Sequence, residues 1–140
     1  MLILIKMIDM SFLKIIEYWQ EGSRKDFEVA RGLYSLKHYS HCLFFCHLSI
    51  EKMMKAIFVA RKNEHAPFIH DVVILAGKAG IPLNKSQKDQ LETITSFNIQ
   101  GRYADYKSEF YKKYNNQKTA KRYVGVTKNF LLWLEKKFLG

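Results

Sequence analysis

Apolar residues recur every three to four positions along most of this chain. From Ser11, a fair N-cap, the residues Phe12, Ile15, Ile16, Trp19, Ser23, Phe27, Ala30, Leu33 and Tyr34 fall at helical spacing. The spacing predicts one long helix over residues 11–35, bent at Gly22-Ser23. After a break at Ser35 to His38, a second helix is expected to run to about Lys62. Its residues Tyr39, Cys42, Leu43, Cys46, Ile50, Met53, Ile57 and Ala60 keep the same period. Two long helices across so short a link form an antiparallel hairpin. Pro67 suits the first turn of a third, shorter helix ending at Gly77 to Gly80. Asn84, with Gln87 three residues on, reads as a capping box opening a fourth helix through about Phe97. Ala120, Tyr123, Val124, Thr127, Phe130, Leu131, Leu134 and Phe138 mark a closing helix. Between these two lies FNIQGRYADYKSEFYKKYNNQK, which shows no clean period and is expected to be functional or partly helical.

The expected fold is therefore all-α: an up-and-down helical bundle of about five helices built on a long antiparallel hairpin. At 140 residues, 48% of them hydrophobic, the chain is expected to be a single domain able to bury a core, and disorder is not expected. Two Pro and seven Gly favour long helices over short-stranded β architecture. The domain is placed over residues 1–140, with residues 1–10 an extra N-terminal segment, since Met7 and Met10 leave room for a later start. The opening MLILIKMIDM is about half a membrane span and is interrupted by Lys6 and Asp9, so no membrane association is expected. A reduced, cytoplasmic protein is the default.

Charge changes the picture more than composition does. The net charge is +10, and from Arg102 onward ten basic residues face three acidic ones. Tyr103, Tyr106, Tyr111, Tyr114 and Tyr123 lie in the same segment. Cations interleaved with aromatic rings suit phosphate backbones and unstacked bases, although a Lys-rich solvated surface has the same composition. Cys42 and Cys46, four apart near His38, His41 and His47, invite comparison with a metal site. Within the apolar run CLFFC, however, core packing is the expected role, and neither metal nor cofactor is expected.

In the second helix His47, Glu51 and Lys55 stand at i, i+4 and i+8. Glu four residues before Lys is the favourable orientation for a surface pair. This line should border the apolar face, where a carboxylate can reach a neighbouring helix. The stretch CLFFCHLSIEKMMKAIFV followed by HAPFIHDVVILAGKAGI resembles the HEPN domain family. The signature pieces are Glu51-Lys52, Lys55-Ala56 and His70-Asp71, with Arg102-Tyr103 later in a loop. The resemblance runs from about Trp19 to the C-terminus. It implies a helical bundle that forms homodimers and pairs with a minimal nucleotidyltransferase in a toxin–antitoxin-like module. Some members are metal-independent ribonucleases; others bind nucleotides without cleaving RNA.

The ribonuclease members carry an Arg and a His separated by four to six residues late in the domain. An imidazole moves protons at the ribose 2′-OH and the leaving oxygen, while a cation holds phosphate charge. Here YADYKSEF follows Arg102 and YVGVTKNF follows Arg122, and neither contains His. The literal match Arg31-GLYSLK-His38 falls at the end of the first helix and reads as coincidence. No catalytic residue is therefore expected, and the favoured function is binding of nucleotide or RNA. Arg102 would grip a phosphate, Tyr103 would stack on a base, and Asp105 would orient Arg102 or accept from a ribose hydroxyl. Lys107 and His70 complete the candidate set, His70 more as a group capping or orienting the start of the third helix than as a base. The competing role for Arg102 is an ion pair with Asp105 or Glu51 that fixes the loop. Glu51, Lys52, Lys55 and Asp71 are expected to be structural. Two alternatives stay open: a ribonuclease with a non-standard site, and a structural module that binds an acidic protein.

Overall fold

In a computed structural model, the described residues are 10–99 and 104–140, with only the backbone of residues 104 and 105. They form six helices: α1 (Met10–Ser35), α2 (Tyr39–Lys62), α3 (Val72–Ala79), α4 (Lys85–Thr95), α5 (Ala104–Tyr114) and α6 (Gln117–Phe138). Among the described residues there is no strand, and no helix is long and apolar enough to cross a membrane. Arg102 and Tyr103 lie outside the described residues, as does the possible extra segment ahead of Met10.

The hairpin of α1 and α2 forms as its spacing predicts. Lys37 takes a left-handed φ of +65°, and the His38 N–H returns to the Leu33 carbonyl at 2.9 Å, which reverses the chain within three residues. α1 runs as one continuous helix through Gly22-Ser23. Gly22 serves a close approach, because a Cβ there would lie 3.0 Å from Cδ of Lys52 as that side chain crosses to Asp26. Beside it, the buried Ser23 hydroxyl donates to the Ser49 carbonyl at 2.6 Å.

The second helix is the centre of the bundle. From Cys42 to Ala60 it is buried on nearly every side, with α1, α3, α4, α5 and α6 packed around it. A helix surrounded in this way must also bury its polar positions, which decides the geometry of the site.

The third helix begins five residues later than Pro67 suggests. Asp71 is its N-cap, accepting from the N–H groups of Val73 and Ile74 at 2.9 and 3.1 Å, while residues 63–71 form a loop held against α2. The capping box of Asn84 and Gln87 is present at α4, which ends at Thr95. The largest addition to the expected plan is α5, drawn from the stretch without a clean period. Its inward side is aromatic: Phe110 and Tyr114 meet Phe97, which also meets Tyr123 edge-on at 5.1 Å. Each such ring pair is worth about 0.5–1.5 kcal/mol beyond its burial. Tyr123 is thus a core residue, and the half-buried Tyr114 packs against the core.

Candidate functional site

Two places on α2 carry chemistry. The first is the signature stripe, which is buried rather than at a solvated border. Glu51 is 4% exposed and Lys55 5% exposed. Lys55 Nζ lies 3.1 Å from Glu51 Oε2, and its ammonium sits near the rings of Trp19 and Phe68 at 5.2 and 5.8 Å. The other carboxylate oxygen, Oε1, accepts from Nδ1 of His70 at 2.9 Å. His70 therefore reaches back to α2 rather than capping α3, which is the work of Asp71.

His47 completes the cluster. Its Nε2 is 2.7 Å from the His70 carbonyl, and a carbonyl only accepts, so Nε2 carries the hydrogen. The other ring nitrogen, Nδ1, is buried with no partner among the described residues. Burial holds the His47 pKa below the ordinary histidine range, overcoming the opposing pull of the His70 carbonyl and of Glu51. A neutral imidazole 3.7 Å from Glu51 makes neither an ion pair nor a hydrogen bond with it. The loop at His70 is thus fixed twice, through its carbonyl by His47 and through its ring by Glu51.

Lys52, pointing to the other side, lies 2.7 Å from Oδ2 of the largely buried Asp26, poorly aligned for a hydrogen bond. It joins α2 to α1. In this geometry Glu51, Lys52 and Lys55 tie α2 to α1 and to the loop at His70, and Asp71 caps α3.

The second place is a groove of about 270 Å³ lined by His41, Phe44, Phe45, Ile99, Lys107 and Tyr111. Tyr111 stacks on the exposed imidazole of His41, with ring centroids 4.8 Å apart and planes within 12°. Lys107, half-buried, has no carboxylate partner among the described residues. In sequence, Lys107 follows Arg102 with four residues between, where the ribonuclease members of the resembling family carry His. An ammonium holds a phosphate but does not shuttle protons near neutral pH as imidazole does. Phe44 of this groove and Glu51 share one face of α2, two turns apart, or about 10 Å. Lys107 lines this groove, whereas His70 belongs to the cluster around Glu51. Nothing is described of the Asp105 side chain, so its proposed role stays with the sequence.

His41 and Tyr111 were missed as a pair in the sequence. A 70-residue separation hides their contact, and neither lies in a motif. Arg31 lines a separate groove with Arg24, Phe27 and Glu28, while the His38 ring meets His41, so the literal Arg31–His38 match is not assembled. Cys42 and Cys46 are fully buried beside Ala30 and Ala120, as core packing requires. Their mutual hydrogen bond lowers the Cys42 pKa and raises that of Cys46, which burial raises further. No group of three or more His, Cys, Asp or Glu among the described residues is arranged to hold a metal ion.

A family model described as "HEPN domain" matches residues 16–137. No curated protein matches the chain in sequence. Among solved structures, the chain is similar to TT1696 from Thermus thermophilus, with a TM-score of 0.74 and 17% identity. That match covers 87% of this chain and 97% of the other, and at this identity it establishes the shared fold.

Proposed function

The chain belongs to the HEPN domain family, and from that premise we propose that it is a binding module for RNA or nucleotide. It would act as a cytoplasmic homodimer beside a minimal nucleotidyltransferase, in a toxin–antitoxin-like pair. The observation that carries the binding role is the groove between α2 and α5. A Lys107 with no carboxylate partner among the described residues lies beside the stacked rings of Tyr111 and His41 there, near the start of the basic C-terminal segment. Cation and ring together suit a phosphate and an unpaired base. Arg102 and Tyr103 precede Lys107 closely in sequence and are proposed to extend the same surface.

Lys107 in place of a late-domain histidine favours binding over cleavage. The experiment is fluorescence anisotropy with a labelled single-stranded RNA and with ATP across a salt series, beside a cleavage assay in EDTA. Salt-sensitive binding without cleavage, weakened by Lys107→Ala and by Arg102→Ala, is the expected result. Cleavage in EDTA lost with Arg102→Ala would instead establish a ribonuclease with a non-standard site. Absence of binding to either probe by the folded dimer would reject the proposal and leave a protein-binding module.

A further inference from the structure

Five histidines stand in this chain, and one differs from the rest in what it is bonded to. His47 is buried. His38, His41 and His65 are exposed and have no carboxylate partner among the described residues. His70 alone combines a reachable ring, 38% exposed, with a carboxylate on Nδ1 at 2.9 Å. That carboxylate is held in place by Lys55 on its other oxygen. The His70 main chain is held by His47, and Phe68, which is 92% exposed, meets the ring edge-on at 5.3 Å. Ring position and tautomer are fixed together.

A hydrogen on Nδ1 leaves the lone pair of a neutral imidazole on Nε2. No hydroxyl or thiol among the described residues is hydrogen-bonded to that nitrogen, so it has no neighbouring nucleophile to activate. We propose that Nε2 of His70 is itself a nucleophile, a site that accepts a phosphoryl group from a small activated donor such as a phosphoramidate or an acyl phosphate. With phosphoramidate, the Nε2 lone pair forms the N–P bond as the donor's P–N bond breaks and ammonia departs. The ring becomes an imidazolium whose Nδ1 proton remains in the hydrogen bond to Glu51. The carboxylate stabilises that developing positive charge, as it does wherever an imidazole is backed by a buried acid. His38, His41 and His65 lack this support.

The test needs only the intact protein. It is incubated with phosphoramidate, digested under mildly alkaline conditions, and the acid-labile adduct at each histidine is followed by mass spectrometry over time. His70 is expected to react on the order of tenfold faster than His38, His41 and His65. Glu51→Gln, which keeps an oxygen for the Nδ1 hydrogen but removes the charge, is expected to bring His70 down to the rate of the other three. Equal or slower labelling of His70 in the wild-type protein overturns the proposal whatever the variant does. An unchanged His70 rate in a folded Glu51→Gln protein overturns the role given to the carboxylate.

Discussion

The His70 cluster and the Lys107 groove occupy one face of α2, two turns apart, yet they handle charge in opposite ways. In the cluster every charge is answered inside the protein: Lys55 by Glu51, and Glu51 by both Lys55 and the His70 ring. In the groove the cation, beside the His41–Tyr111 stack, has no carboxylate partner among the described residues. The first arrangement ties a loop to the central helix. The second leaves its interactions open for something else to complete. A charged residue on a buried helix thus declares its role through what satisfies it, more than through its position in a motif.

Removing one partner from the closed cluster should have the largest effect. Glu51→Ala strands the Lys55 ammonium in an apolar setting and frees the His70 ring. Breaking a buried pair from one side costs about 3–5 kcal/mol. Urea denaturation should therefore show a loss of that size, with amide exchange in residues 63–71 speeding up first. A loss below about 1 kcal/mol would mean that water already screens the pair.

A smaller effect follows from His47. Its folded pKa lies below its unfolded value of about 6.5. As pH falls through 6.5, the unfolded chain takes up a proton that the folded chain refuses. Stability should be full above that pH and decline below it, until the folded pKa is reached. Each unit between the two values is worth about 1.4 kcal/mol. Denaturation at pH 7.5 and 5.5 should show the decline, and His47→Gln, whose amide can still donate to the His70 carbonyl, should remove this contribution. A variant with the same pH slope as the wild type would assign the decline to other groups.

In the open groove the effects belong to binding and not to folding. Lys107→Ala should leave the unfolding midpoint within about 0.5 kcal/mol of wild type. It should also lower the slope of log affinity for RNA against log salt by about one. Loss of stability without loss of affinity would reverse the contrast between the two regions.

Much of this architecture is legible in the sequence, and what is not has identifiable causes. The hairpin, the Asn84 capping box and the closing helix announce themselves because local period and cap chemistry determine them. The helix α5 does not, because its inward residues include tyrosines, which count as polar or as ligand platforms until Phe97 and Phe110 are seen against them. The depth of Glu51 is equally hidden. A Glu–Lys pair four residues apart looks the same on a surface and in a core, and the residue that settles it, His70, comes 19 positions later from a loop. Pro67 misleads for a related reason: it is compatible with a first helical turn, but the loop is held in place from α2 and the cap falls at Asp71.

The pair of Lys52 and Asp26 lies between the two extremes, with a carboxylate largely buried and an ammonium partly in water. Gly22 allows it, and Gly22→Ala sets two terms against each other. Alanine favours a helix interior over glycine by about 0.8–1.0 kcal/mol. Its Cβ would meet Cδ of Lys52 at 3.0 Å, pushing that side chain off its path to Asp26. A flexible lysine yields readily, so the lost attraction should be about 1 kcal/mol or less, and the substitution should come out close to neutral. With Lys52 already replaced by Ala, nothing is displaced and the propensity gain should appear in full. The double-mutant cycle should therefore show coupling of about 0.5–1 kcal/mol. If Gly22→Ala stabilises both backgrounds equally, the Lys52–Asp26 pair behaves as an exposed contact. If it destabilises the wild type by more than about 1 kcal/mol, the pair belongs energetically with the closed cluster around Glu51.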